Sequence, residues 1–110
     1  MSRICSSQEA AAAIRSGAGV FVLFYADWCP FSRAFLPVYE RFAAGREGKF
    51  FRLLLEGNEA FFREQAIEVY PSVLFFKDGQ VARRLDGRHL VGLREKQLAD
   101  LIASCDGGGD

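Results

Sequence analysis

Val20-Phe21-Val22-Leu23-Phe24-Tyr25-Ala26, followed at once by Asp27-Trp28-Cys29-Pro30-Phe31-Ser32, is the stretch on which the fold turns. Seven apolar residues without polar alternation read as a strand buried on both faces, as in an α/β sheet. Asp27 and Trp28 form the turn out of it. Beyond the turn, Phe31, Phe35, Val38, Tyr39 and Phe42 recur at helical spacing, which predicts a helix from about Phe31 to Ala44. Pro37 falls inside that helix and is expected to kink it; Gly45 and Gly48 close it.

Working outward, Ser7 is expected to cap a helix from Gln8 to Arg15, ended by Gly17 and Gly19. A short strand at Arg3-Ile4-Cys5 precedes it. Downstream, Phe50 to Leu55 reads as a second strong strand, and Asn58 as the cap of a short helix from Glu59 to about Ala66. After Tyr70-Pro71 comes a third apolar run, Val73-Leu74-Phe75-Phe76. Asp78-Gly79 is a hairpin signal, so a strand from about Val81 to Leu85 is expected to pair antiparallel to that run. Leu93 to Ser104 reads as a last amphipathic helix with Leu93, Leu98, Leu101 and Ile102 on its apolar side. Alternating elements make a parallel half by right-handed crossover, and the hairpin supplies an antiparallel half. The fold class is α/β: a central mixed sheet of four or five strands flanked by helices on both faces. Residues 1–105 form a single domain, and the tail Asp106-Gly107-Gly108-Gly109-Asp110, without a core residue, is expected to be disordered.

Composition narrows the function classes. The 110 residues suit one domain, and half of them are hydrophobic, so a core can form without metal or disulfide staples. Basic and acidic residues number 14 each, which gives no electrostatic reason to expect nucleic acid or an anionic membrane as partner. No run approaches the roughly 18 apolar residues of a membrane span. The N-terminal residues lack the apolar region of a secretory signal, which leads to the expectation of a cytoplasmic protein. The three cysteines, at positions 5, 29 and 105, are too scattered for a zinc pattern and too few for a disulfide framework.

Phe24-Tyr25-Ala26-Asp27-Trp28-Cys29, Pro37 eight residues after the cysteine, Tyr70-Pro71 and Phe76-Lys77-Asp78-Gly79 together resemble the thioredoxin superfamily over nearly the whole chain. The resemblance implies the thioredoxin fold. It places Cys29 where a strand feeds a helix, makes Pro37 the proline that kinks that helix, and makes Pro71 a cis proline facing the cysteine. The local stretch is most similar to protein disulfide isomerase domains with a Cys-x-x-Ser centre, and also to plant adenylylsulfate-reductase-like proteins with the same Cys-Pro-Phe-Ser. Two positions depart from the family pattern. Ser32 stands where a resolving cysteine is usual, and Leu23 stands where a buried carboxylate is usual, six residues before the nucleophile. In the family that carboxylate helps deprotonate the resolving cysteine. Without a second thiol it has nothing to serve, and burying it alone would be costly. The two losses make sense together.

The chemistry implied is thiol–disulfide exchange through one nucleophile, Cys29. The attacking species is the thiolate. A helix N-terminus favours a negative sulfur through its unpaired N–H groups and its dipole. Ser32 is expected to donate a further hydrogen bond to it; Arg33 adds a nearby positive charge and Asp27 opposes it. Attack on a disulfide leaves a mixed disulfide that Ser32 cannot resolve. A thiol from the client, or glutathione as external reductant, must do so. Isomerisation, deglutathionylation and covalent capture remain open, whereas ordinary dithiol turnover does not. The expected partners are protein thiols or disulfides and glutathione; no resident cofactor or metal is expected. The resemblance places Trp28, Pro30, Phe31, Tyr70 and Pro71 at the client groove, with Phe31 exposed beside the cysteine. Cys5 and Cys105 read as structural cysteines, and His89 as a solvated loop residue, unless the Gly87-Arg88-His89 loop borders the groove as the corresponding family loop does. Two other functions fit the same residues: a non-enzymatic module that holds clients, and a glutaredoxin-like protein binding an iron–sulfur cluster with glutathione, to which Cys-Pro-Phe-Ser is also similar. The Trp28-Cys29 and Tyr70-Pro71 pairs fit thioredoxin better.

Overall fold

A computed structural model describes the backbone of residues 2–107 and the side chains of residues 2–105. The elements run β1 (Arg3–Ile4), α1 (Ser7–Arg15), β2 (Val20–Tyr25), α2 (Pro30–Ala43), a 3-10 turn (Glu47–Lys49), β3 (Phe50–Leu54), α3 (Glu59–Glu64), β4 (Ser72–Lys77), β5 (Gln80–Asp86) and α4 (Glu95–Gly107). The sheet order is β1-β3-β2-β4-β5. β3 lies parallel to both β1 and β2, while β4 is antiparallel to β2 and to β5. The expected mixed sheet is thus present with five strands.

β2 is the inner strand that its unbroken apolar run demands, and its side chains alternate between two cores. Val20, Val22 and Phe24 meet Ala10 and Ile14 of α1 and Phe62 of α3 on one face. Phe21 and Leu23 meet Phe35, Tyr39 and Ala43 of α2 and Leu98, Leu101 and Ile102 of α4 on the other. Leu93, just ahead of α4, joins this second core as expected.

Several local expectations are corrected. Ser6, not Ser7, caps α1: its hydroxyl accepts from the Glu9 N–H at 3.2 Å while the Glu9 carboxylate accepts from the Ser6 N–H at 2.8 Å, a reciprocal pair Ser7 has no acid to form. Asn58 occupies the cap position of α3 without a capping side-chain bond. Its side chain instead accepts from the Ser7 N–H at 3.0 Å and donates to the Leu54 carbonyl at 2.8 Å, tying α1 to the end of β3. α3 stops at Glu64, before Ala66, whose φ is +55°. α4 begins at Glu95 and its backbone continues to Gly107, into the expected tail; residues 108–110 of that tail lie outside the described residues.

The turn between β4 and β5 has positive φ at both central residues, 56° at Asp78 and 81° at Gly79, with Lys77 opposite Gln80. That is a two-residue turn whose twist matches the flanking strands, as the Asp-Gly pair requires. It sets the register of β4 against β5, and so fixes which residues meet at the other end of the hairpin, Ser72 and Asp86.

Candidate active site

Cys29 is the N-cap of α2, in an extended backbone conformation, with Pro30 next in the first turn. Proline suits that position because its missing N–H would have no intrahelical acceptor and its φ is already helical. The Cys29 N–H donates to the Ala26 carbonyl at 3.1 Å, and the Arg33 N–H to the Cys29 carbonyl at 3.0 Å. The turn after β2 and the first turn of α2 are therefore one hydrogen-bonded unit. The N–H groups of Phe31 and Ser32 are left without intrahelical acceptors, as at any helix start.

The helix beneath Cys29 is locked to the sheet. Tyr39, fully buried, places its hydroxyl 2.7 Å from the Phe51 carbonyl and 3.2 Å from that of Phe21. Burial pushes its phenol pKa well above the ordinary value. One turn on, Glu40 forms a largely buried ion pair with Arg52 of β3, and Ser2 donates to Glu40 from both its N–H and its hydroxyl. Pro37 lies inside α2 as expected, and α2 holds its course around it through these anchors.

The Tyr70–Pro71 peptide is cis. The Cys29 thiol donates to the Tyr70 carbonyl at 3.8 Å, so the two pieces of sequence meet at the sulfur. Cys29 is 7% exposed. Trp28 stands over Tyr70 edge to face, with ring centroids 5.9 Å apart, and is itself 59% exposed. Tyr70 leans in turn on Phe62. Asp27, Pro30 and Arg33 are exposed around this rim.

Ser32 is fully buried, and its hydroxyl accepts from the Ala26 N–H at 3.3 Å. It faces back toward the end of β2, so the expected donation to the Cys29 sulfur is not formed. Phe31 was expected to be exposed and is instead half-buried, because Gly92 packs against it. Leu23 is fully buried, with Arg52 and Val73 as its cross-strand neighbours on β3 and β4.

Three residues that sequence reading passed over close the site. Ser72 is fully buried; its hydroxyl donates to the Val69 carbonyl at 2.7 Å and accepts from the Gly87 N–H at 3.3 Å. Gly87 lies so near that a Cβ there would stand 2.4 Å from the Pro71 carbonyl oxygen. A Cβ on Gly92, whose φ is +81°, would stand 2.9 Å from the Phe31 Cβ. The loop between these glycines does border the site, and His89 within it is exposed. The two glycines, five residues apart beyond a predicted strand, were the readable signal.

The other cysteines lie elsewhere. Cys5 is buried in the α1/α3 core and donates to the Arg52 carbonyl at 3.7 Å. Burial, with Glu9 close by and Arg3 opposing, pushes its thiol up to about 11. Cys105 is half-buried against the α2/α4 core. All three thiols are free. Among the described residues no group of three or more His, Cys, Asp and Glu could hold a metal ion. No helix among them is long and apolar enough to cross a membrane.

Comparison with known proteins agrees with this geometry. Residues 4–104 match the thioredoxin family model. A thioredoxin from Alicyclobacillus acidocaldarius is 32% identical over 92 residues, covering 82% of this chain and 88% of its own length. The thioredoxin-like protein CXXS2 of Arabidopsis thaliana is 32% identical over 79 residues, 71% of this chain, and the chain spans about half (51%) of that relative's length. Among solved structures, Plasmodium falciparum thioredoxin superposes with a TM-score of 0.81 at 22% identity, over 93% of this chain and 97% of that one.

Proposed function

Because this chain belongs to the thioredoxin family, we propose that its thiol–disulfide chemistry runs through Cys29 alone, by mixed disulfides with proteins or glutathione that an external thiol resolves. The observation that carries this reading is the site's composition. A sulfur at a helix start touches the Tyr70 carbonyl beside Pro71, while Ser32 fills the third position beyond it and Leu23 the buried place beneath. One relative, the plant thioredoxin-like protein, bears CXXS in its name, and Cys29 to Ser32 has that spacing here.

The step balances as follows. The Cys29 thiolate attacks one sulfur of a client disulfide; a new S–S bond forms and the old one breaks. The second client sulfur leaves as thiolate and takes a proton from solvent. Release needs one more thiol, either the client's own, which makes the net result an isomerisation, or glutathione, which leaves glutathione on the client or on Cys29. A second glutathione then restores the Cys29 thiol and departs as glutathione disulfide. Glutathione is a co-reactant here, not a resident cofactor, and a reducing compartment such as the cytoplasm would supply it. Where such release is slow, the same site works as a client-holding module.

The test is capture from cell extract with wild-type protein and with Cys29→Ala, eluted by reductant. Clients eluted only from the wild type are the expected result. Equal recovery from both would remove covalent exchange and leave non-covalent holding. The rate at which added glutathione releases the captured clients then separates turnover from storage.

A further inference from the structure

Leu90 sits in the left-handed region, φ +62°, and is 72% exposed. It is the third residue of a tight turn closed by the Val91 N–H donating to the Arg88 carbonyl at 2.9 Å. A positive φ at that position is what glycine or asparagine supplies without penalty; leucine holds it at a steric cost. Nor does burial repay the cost, since most of this side chain faces water. A large apolar side chain in a conformation it disfavours, gaining nothing within the chain, points to contact with something outside it.

The position of the turn says what that contact is. Its two feet are the glycines packed against Pro71 and Phe31, so the turn stands over the residues that flank the nucleophile. Val91 beside Leu90 is 44% exposed, and Trp28 rises on the Tyr70 side of the same sulfur. The surrounding exposed charges lean positive. Arg33, Arg88 and Arg94 form no ion pair among the described residues, whereas Asp86 is taken up by Arg84 and Glu95 by Arg41.

We infer that Leu90 is a specificity-determining residue, which selects polypeptide disulfides with an apolar side chain beside the half-cystine and an acidic residue nearby, over glutathione disulfides. The inference rests on Cys29 exchange as proposed above. In the attack the client's apolar side chain covers Leu90 while its sulfur bonds to Cys29; the leaving sulfur departs as thiolate, as before. Glutathione has no such side chain and gains nothing from Leu90.

The test uses two probes with one leaving group: thionitrobenzoate disulfides of glutathione and of a short peptide with Leu beside Cys and Glu nearby. Released thionitrobenzoate gives both rates by absorbance. The quantity read is the peptide-to-glutathione rate ratio for wild type, Leu90→Asn, Leu90→Gly and Leu90→Met. Asn and Gly are at home at positive φ, so these variants keep the turn. The ratio is expected to fall about tenfold in both, the loss of roughly one partly buried apolar contact, and to be kept by Met. A ratio unchanged in Leu90→Asn and Leu90→Gly overturns the inference. Failure of the underlying reading shows separately, as wild-type rates on both probes no faster than those of Cys29→Ser.

Discussion

At Cys29 the sulfur is held at a helix start by backbone bonds, and what happens after its first bond depends on Ser32 and Leu23. Ser32→Cys puts a second sulfur one helical turn away, within bonding reach of Cys29. That variant should form an internal disulfide and accelerate insulin reduction by dithiothreitol, where the wild type accelerates it little. Adding Leu23→Asp should raise the rate further, because Leu23 has Arg52 as its cross-strand neighbour and the Arg52 Nε has no hydrogen-bond partner among the described residues. The new carboxylate would have a cation to face, yet the exchange of a buried leucine for an acid should still lower stability by about 3 kcal/mol or more. Insulin turbidity and urea midpoints measure the two effects; wild-type turnover equal to the double variant would end the one-thiol mechanism. The cysteines should also separate by reactivity. Limited iodoacetamide at neutral pH should label Cys29 first and Cys5 hardly at all, read by peptide mass spectrometry. An unfolded Cys5 loses its proton near 9.0, and the folded one keeps it to about 11. Its contribution to stability is therefore whole below that window and is lost as pH rises through it; Cys5→Ala should flatten this part of the alkaline unfolding curve. The reactive cysteine was legible from its neighbours in sequence. The direction of the Ser32 hydroxyl was not, because it depends on the Ala26 amide coming within reach at the end of β2.

Among the elements, the loop between β5 and α4 is held closest to the chemistry. Gly87→Ala would drive a methyl group into the Pro71 carbonyl, with backbone on both sides and nowhere to yield. It should cost about 2 kcal/mol or more and slow alkylation of Cys29. Gly48→Ala, with open space around it and no positive φ, should leave both nearly unchanged. Thermal melts and labelling rates compare the pair, and equal behaviour would show that the Gly87 contact does not matter. The helices and strands were legible because their apolar periods are long and Asp78-Gly79 punctuates the hairpin. Caps were less so. Ser6 and Ser7 compete for one role, and only the Glu9 side chain reaching back decides between them. Asn58 looks like a cap but is claimed by Ser7 and Leu54, partners distant in sequence that only the folded chain supplies.

Over the whole molecule, the two cores meet the sheet from opposite sides, and the Glu40–Arg52 pair is the main charged group within them. Glu40→Ala would leave Arg52 buried without its partner and should destabilise by about 3–5 kcal/mol, whereas replacing both residues with leucine should cost far less. Urea denaturation decides, and equal losses would mean that the pair acts only by filling space. A lone arginine inside Phe50-Phe51-Arg52-Leu53-Leu54 was the sequence trace of this pair; its partner, twelve residues away on a helix, was hidden until α2 was laid on the sheet. Trp28 has a different kind of reach. It is the chain's one tryptophan, it stands mostly in water, and it adjoins the reactive sulfur. The indole fluorescence of the entire protein is therefore a local signal. It should already emit as a hydrated indole in the folded state, shift to the blue when a client covers it, and change little in wavelength when the cores melt. Unlabelled protein thus carries its own optical probe for capture, while global unfolding is better followed through the near-ultraviolet dichroism of its packed phenylalanines and tyrosines.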